Sequence, residues 1–207
     1  MTADYVEYAY RDAEDTWATH YVFPQLVKLL GKAQGPILDL GCGNGATARK
    51  LMQAGYDVYG VDASISGIAA ANAKAPDKFF VMNVGDAALP AAIARVPFRT
   101  VISTEVIEHL YDPRSLIRLA KQVLAGRGKL IVSTPYHGYL KNLALAATGK
   151  PDGHFTVLWD GGHIKFFSRA TLEQLLKEEG FKPTGFEGAG RFPMLWKSMI
   201  LSATIGA

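Results

Sequence analysis

The chain has 207 residues, of which 49% are hydrophobic and 20% charged, and its formal net charge is +3. This size and composition predict one globular domain over residues 1–207 and exclude long disordered stretches. The basic residues are scattered, which argues against a nucleic-acid partner, and the only cysteine, Cys42, excludes an internal disulfide.

The N-terminal segment, residues 5–30, has apolar residues at helical spacing with an interruption at Pro24. We expect one or two helices here, packed ahead of the rest of the fold. Three aromatic residues, Tyr8, Tyr10 and Trp17, lie in an otherwise polar part of this segment. We therefore predict that residues 1–30 form a helical lid and that these three side chains contact a substrate.

Apolar runs alternate with helix-like segments through the rest of the chain, which predicts a mostly parallel sheet with helices on both faces. Seven strands are predicted, at residues 37–40, 58–62, 79–83, 100–104, 129–134, 181–187 and 198–205. Helices are predicted between them at residues 46–54, 64–73, 113–124 and 170–179. The sequence thus predicts an α/β fold.

The stretch "ILDLGCGNG" places three glycines between the first predicted strand and the helix after it. A strand, a glycine turn and a helix are typical of a nucleotide-binding crevice. Gly41, Gly43 and Ala46 also satisfy the dinucleotide fingerprint, so an NAD(P)-dependent oxidoreductase is one alternative. Asp39 argues against it, because an aspartate at the mouth of the glycine turn would repel a pyrophosphate and attract a ligand with a cationic end.

Acidic residues follow the next two strands. Asp62 ends the second strand, 21 positions after Gly41, where a carboxylate can accept hydrogen bonds from a ribose diol. Asp86 lies just past the third strand, where its carboxylate or the neighbouring backbone can bind an adenine amine, and Asn83 is the alternative there. Both positions predict an adenosine site.

Residues 135–167 form an insert that is too long for an ordinary connection between a strand and a helix. Tyr136 and Trp159 in this insert are predicted substrate contacts.

The final stretch, "FPMLWKSMILSATIGA", is apolar but, at about 16 residues, too short to cross a membrane. With no signal peptide at the N-terminus, these features predict a cytoplasmic protein. The apolar insert and tail leave a peripheral contact with a membrane open.

The motifs "ILDLGCGNG", "GVDAS", "GDAALP" and "STEVIEHLYDP" together resemble those of class I S-adenosylmethionine-dependent methyltransferases, over residues 35–205. Within that class, "EVIEHLYDP" is most similar to the group containing the ubiquinone-biosynthesis O-methyltransferases and many small-molecule methyltransferases. The resemblance implies a Rossmann-like sheet of seven strands with the last antiparallel. It also implies S-adenosylmethionine as cofactor, S-adenosylhomocysteine as product, and an acceptor oxygen or nitrogen on a small molecule. The aromatic residues of the insert and of the N-terminal segment favour an aromatic or apolar acceptor.

The cofactor site predicted from these motifs consists of Asp39, Gly41, Cys42, Gly43, Asn44, Gly45, Asp62, Ala63, Asn83, Asp86, Ala87, Thr104 and Glu105. The insert and the tail depart from the ubiquinone enzymes, so a quinone precursor is not implied as the acceptor. A catalytically silent adenosyl-binding protein of the same fold is a further alternative.

Two questions of chemistry stay open in the sequence. If the chain turns helical after the fourth strand, Glu105 shares a face with Glu108 and His109, and these groups could hold Mg²⁺ or Zn²⁺, as related ubiquinone-pathway enzymes suggest. The simpler interpretation is a site without metal. The methyl acceptor must also lose a proton, and a histidine suits this role, so His163 and His137 are the predicted catalytic residues.

Overall fold

The computed structural model describes residues 10, 12–15, 17–32, 34–86, 88–124, 128–155 and 157–205. The strands are β1 Ile37–Leu40, β2 Val58–Asp62, β3 Phe79–Val81, β4 Thr100–Thr104, β5 Lys129–Pro135, β6 Phe181–Ala189 and β7 Ser198–Ile205. The α-helices are α1 Trp17–Leu30, α2 Ala46–Gln53, α3 Ile65–Asn72, α4 Pro113–Val123, α5 Tyr139–Ala147, α6 Pro151–Phe155 and α7 Arg169–Glu178, and Ile107–His109 forms a 3₁₀ turn.

The strands form one seven-stranded sheet in the order β3-β2-β1-β4-β5-β7-β6. Neighbours from β3 to β5 are parallel, whereas β7 is antiparallel to both β5 and β6. This confirms the predicted Rossmann-like class. The chain order reverses between β1 and β4, and ligands of open α/β sheets bind at the carboxyl ends of the strands beside such a reversal.

The core has two layers, one on each face of the sheet. Ile37 packs in one layer and the next residue, Leu38, in the other, as the alternation of side chains along a strand requires. All four residues of β1 are buried, which is typical of a central parallel strand covered by helices on both faces. Among the described residues, no helix combines the length and apolarity needed to cross a membrane.

Helix starts follow their capping residues. The Ser64 hydroxyl accepts a hydrogen bond from the Gly67 N–H at 2.9 Å and caps α3. Asp112 accepts from the Arg114 N–H at 3.0 Å and precedes the proline at the first position of α4. Ser168 caps α7 through a capping box with Thr171. These side chains satisfy backbone N–H groups that have no partner inside a helix, which is why the sequence predicted the starts within one residue.

The sequence left one or two helices open for the N-terminal segment, and Pro24 does not interrupt α1. The helix continues through this residue, whose ring is exposed. Val22, Leu26 and Leu30 bury their side chains on the opposite side, where α1 packs on β6 and β7. Proline costs one hydrogen bond in a helix, and burial of this apolar face offsets that cost.

Candidate functional site

The glycine turn after β1 packs closely against the segment that follows β4. Gly41 and Gly43 both adopt a left-handed backbone, with φ of 79° and 54°. A Cβ atom on Gly41 would lie 2.5 Å from Val106 Cγ2, so only glycine fits there. The Gly41 and Cys42 N–H groups donate to the Val61 carbonyl at 2.8 and 3.0 Å. The turn is thereby fixed between β2 and β4.

Asp62 is held at the carboxyl end of β2. One carboxylate oxygen accepts from the Gly43 N–H and the other from the Ser64 N–H, both at 2.8 Å. The side chain is partly exposed and lines the large cavity at this edge of the sheet. A carboxylate fixed in this way can also accept hydrogen bonds from a diol, as predicted for a ribose.

Asp39 is not at the mouth of the glycine turn. Its side chain is fully buried, neither carboxylate oxygen has a hydrogen-bond partner among the described residues, and the residue is absent from the cavity wall. Burial, with a smaller effect from the Asp62 charge, raises the pKa of Asp39 to about 8. The carboxyl group is therefore protonated near neutral pH, so the charge argument from the sequence does not hold for the ligand-free protein. Contact between Asp39 and the cofactor stays a prediction.

The remaining predicted cofactor residues divide by position. Residues on the cavity wall are Gly41, Cys42, Gly43, Asn44, Asp62, Ala63, Asn83, Asp86, Thr104 and Glu105. Gly45 lies behind the turn, where a Cβ atom would meet Ala71 at 2.8 Å, so its role is packing. Ala87 lies outside the described residues. In the loop after β3, Asp86 accepts from the Asn83 N–H at 2.9 Å, which holds both residues at the cavity.

The cavity has a volume of ≈1790 Å³. Sites for one small molecule usually measure about 300–1,000 Å³, so this one has room for two ligands. The glycine turn, the Asp62 region and the loop after β3 line one part. The insert and the start of β7 line another, through residues Lys141, His154, Phe155, Val157, Trp159, His163, Phe166, Lys197 and Ser198.

Residues 10 and 12–15, which we call the N-terminal strap, cover the glycine turn. The Tyr10 N–H donates to Ser66 Oγ at 3.2 Å, and a Cβ atom on Gly43 would overlap the Tyr10 hydroxyl. Asn44 donates from its side chain to the Asp12 and Glu14 carbonyls at 3.0 and 2.9 Å. Arg49 donates to the Ala13 carbonyl and, at 2.6 Å, to the Asn44 carbonyl.

Only some of the predicted substrate contacts can be placed on the cavity wall. Tyr10 and Trp159 lie on the cavity wall. Tyr136 does not, because its ring is buried and packs edge-on against Trp196 at 5.2 Å between ring centres. Tyr8 lies outside the described residues, and so does the side chain of Trp17, although its backbone begins α1.

Glu105 occupies a strained position directly after β4. Its φ of 56° is uncommon for a residue other than glycine. The Glu105 N–H donates to Ser133 Oγ at 3.1 Å. In turn, the hydroxyls of Ser133 and Ser198 donate to the two carboxylate oxygens at 2.7 and 2.9 Å. Contacts with β5 and β7 therefore hold this carboxylate in place.

Glu108, His109 and His163 form a second cluster, and Glu105 is not part of it. One potential metal-binding atom from each residue lies within 4.8 Å of the other two. The Glu108 carboxylate is buried beside the Thr134 hydroxyl, and among the described residues it makes no hydrogen bond of normal length. His109 Nδ1 lies 2.9 Å from the Gly161 carbonyl, an arrangement that leaves Nε2 for a metal. This donor set fits a divalent metal, with His163 in place of the predicted Glu105.

The two predicted catalytic histidines differ in position. His163 lies on the cavity wall, and burial, followed by the nearby His109, lowers its pKa to about 4. His137 is 7% exposed, is absent from the wall, and stacks on Phe155 with 5.9 Å between ring centres. Its burial, together with Lys141, lowers the pKa of His137 to about 4. His137 therefore packs behind the wall in this structure, and a catalytic role for it stays a prediction.

Sequence reasoning missed Lys141, Tyr21, Ser198 and Phe166, all of which lie on the wall. Lys141 had a signal, because it is the only charged residue in the apolar stretch "YLKNLALAAT". Tyr21 and Ser198 had none. They belong to a regular helix and a regular strand, and only the packing of α1 and β7 at the end of β5 brings them to the cavity.

The fold and the site define a Rossmann-like protein with a crevice at the glycine turn beside a second ligand space. A family model described as a methyltransferase domain matches residues 14–184. The chain therefore belongs to the methyltransferase-domain family, within the class I S-adenosylmethionine-dependent methyltransferases, and its cofactor is S-adenosylmethionine.

Named relatives agree with this assignment. A ubiquinone biosynthesis O-methyltransferase from Ruegeria sp. (strain TM1040) is 31% identical over 78% of this chain and 66% of its own length. One from Caulobacter sp. (strain K31) is 35% identical over 55% of this chain and 45% of its own length. The chain thus spans less than two thirds of either relative. The fold is also similar to the structure of magnesium protoporphyrin IX methyltransferase from Synechocystis with bound S-adenosylhomocysteine. The TM-score is 0.65 at 24% identity, and the match covers 91% of this chain and 82% of the Synechocystis chain.

Proposed function

We propose that this protein transfers a methyl group from S-adenosylmethionine to an oxygen or nitrogen of a small, aromatic or apolar molecule. The observation that carries this proposal is the cavity of ≈1790 Å³, which has room for a cofactor and an acceptor. The name of the Ruegeria relative favours oxygen as the acceptor atom. Phe155, Trp159 and Phe166 supply an aromatic surface on the acceptor side.

The residues present fit the cofactor. Gly41 and Gly43 let a ligand approach the backbone, and the fixed Asp62 carboxylate is suited to a ribose diol. The unpartnered Asp39 carboxyl lies close enough to Asp62 to feel its charge, so a cationic group bound nearby would favour its ionised form. When bound, S-adenosylmethionine supplies an electrophilic methyl group. The residues of this chain then need to align the acceptor, exclude water and accept a proton.

Because of the cluster formed by Glu108, His109 and His163, we further propose that the site holds a divalent metal. Glu108, His109 and His163 would hold the ion at the acceptor side of the cavity, where a metal lowers the pKa of a bound hydroxyl group. The metal-free interpretation from the sequence is the alternative. Assays with and without a chelator separate the two.

The test combines binding and transfer. Calorimetry is expected to show binding of S-adenosylhomocysteine and none of NADH. Radiolabelled cofactor is then offered with a panel of phenols, catechols and amines, with and without chelator. Label in at least one acceptor supports the proposal. Cofactor binding without transfer to any acceptor would indicate a catalytically silent protein, and binding of NADH alone would restore the oxidoreductase alternative.

A further inference from the structure

Lys141 points inward from a helix whose apolar residues point outward. It is 8% exposed and lies on the cavity wall, whereas Tyr139 and Leu143 on the same helix are 78% and 50% exposed. Burying an ammonium group is costly, and an apolar side chain would fill the same space at lower cost. Packing alone therefore does not explain a lysine at this position.

The surroundings of Lys141 leave its amine available. Among the residues described, the one hydrogen bond that Nζ donates goes to the Lys197 carbonyl at 3.3 Å. Burial lowers the pKa of Lys141 to about 8; the attraction of Glu105 partly opposes this effect, and the charge of Lys197 adds to it. The titratable groups that face Lys141 from neighbouring elements are Glu105, His137, His154, His163 and Lys197.

Glu105 links this lysine to the cofactor side of the cavity. It follows Thr104 at the end of β4, which is the parallel neighbour of β1 and its glycine turn. The adjacent Val106 touches the turn at Gly41. The Ser133 and Ser198 hydroxyls hold the Glu105 carboxylate in place. Burial raises the pKa of Glu105, and in its ionised form the carboxylate attracts the Lys141 ammonium group. Glu105 and Lys141 both lie on the cavity wall, and Lys141 is on the side that the insert lines.

We propose that Lys141 is a catalytic residue whose Nζ accepts the proton that the methyl acceptor loses, while Glu105 stabilises the resulting ammonium group. This inference rests on the proposed function. The acceptor oxygen or nitrogen forms a bond to the methyl carbon with its lone pair, and the carbon–sulfur bond breaks with both electrons going to sulfur. The proton of the acceptor passes to Nζ, and its bonding electrons stay on the acceptor atom.

The kinetic test compares Lys141→Met with Lys150→Met, an exposed lysine in the same insert. We expect Lys141→Met to lower kcat by about 10²–10³-fold, the usual range for loss of a general base, with little change in KM or S-adenosylhomocysteine affinity. In wild type and Lys150→Met, kcat should rise with pH through about 8, as Nζ becomes neutral. That rise should be absent from Lys141→Met. Ethylamine added to Lys141→Ala should restore part of the rate.

A second test needs no acceptor. Carbon NMR of protein with labelled lysine side chains follows each amine, and Lys141→Arg identifies the Lys141 signal. With S-adenosylhomocysteine bound, this signal should titrate below those of the other lysines, and Glu105→Gln should lower its pKa further by removing an attraction. Thermal unfolding checks that Lys141→Met folds, as expected when methionine replaces a buried charge.

Three results would overturn the proposal: an unchanged kcat and pH profile in Lys141→Met, no rescue by amines of an impaired Lys141→Ala, or a Lys141 signal that titrates with the surface lysines. Failure of the proposed function is a different result. In that case wild type itself labels no acceptor in the panel, while the lysine titration still decides whether Nζ can act as a base.

Discussion

The buried Asp39 carboxyl is the residue whose charge state responds most directly to the cofactor. Its pKa of about 8 in the ligand-free protein means that it carries a proton at pH 7. S-adenosylmethionine has an ammonium and a sulfonium group, and a positive charge nearby lowers the pKa of a carboxyl group. Binding should therefore release a proton.

We predict that wild type binds S-adenosylmethionine more tightly as the pH rises from 6 to 8, by up to about tenfold per unit. Calorimetry in buffers of different ionisation enthalpy measures the released proton directly. Asp39→Asn should lose both effects. Asp57→Asn, which changes an exposed aspartate paired with Lys78, is the matched control and should keep them. Equal proton release from Asp39→Asn would show that another group is responsible.

At the scale of elements, the N-terminal strap and the insert are the two segments added around the sheet. The strap is tied to the glycine turn and to α2 through Asn44 and Arg49. The insert returns to the 3₁₀ turn, where the Ile164 and Lys165 N–H groups donate to the Glu108 carbonyl at 2.9 and 3.0 Å. Both segments contribute wall residues, so we infer that they act as lids over cofactor and acceptor.

The lid role of the strap predicts an effect on ligand release. Arg49 is absent from the cavity wall, yet it donates hydrogen bonds to the Ala13 and Asn44 carbonyls. Arg49→Gln should loosen the strap and speed dissociation of S-adenosylhomocysteine by about tenfold, because charged hydrogen bonds contribute about 1.5–3 kcal/mol each. Stopped-flow fluorescence measures the rate. Lys74→Gln, at an exposed position, is the control, and equal rates in both variants would contradict a lid role.

At the scale of the whole molecule, buried ionisable groups shape the dependence of stability on pH. His137 is 7% exposed, its Nε2 atom has no hydrogen-bond partner within the part of the chain that the structure describes, and burial lowers its pKa to about 4 from 6.5. Below pH 6.5 the unfolded chain binds a proton that the folded protein does not take up until about pH 4. Folded-state stability is therefore lost as the pH falls through this window.

We expect His137→Gln to remove up to about 2 kcal/mol of the stability loss between pH 7 and pH 5. The free energy of unfolding in urea, measured at both values, tests this. His20→Gln, which changes an exposed histidine, should behave as wild type. If His137→Gln loses as much stability as wild type on acidification, the histidine is not buried in its neutral form in solution.

Much of the fold follows from short-range patterns in the chain. Ser64, Asp112 and Ser168 satisfy helix N–H groups a few positions away, and Gly41 and Gly43 meet backbone angles set by their own turn. Such requirements involve neighbours in sequence and can be predicted from it. Pro24 shows the limit of this reasoning, since burial against β6 and β7 overrode a local signal.

The chemistry of the site depended instead on contacts between distant residues. The amino-acid order alone was enough to predict the sheet, the glycine turn and the position of Asp62 at the end of β2, because hydrophobic periodicity, capping and strand ends are local properties. Only the folded chain showed that Asp39 is buried, that Ser198 binds Glu105 from 93 positions away, and that Lys141 faces the cavity. Burial and charge proximity are set by tertiary packing, and they decide which groups ionise.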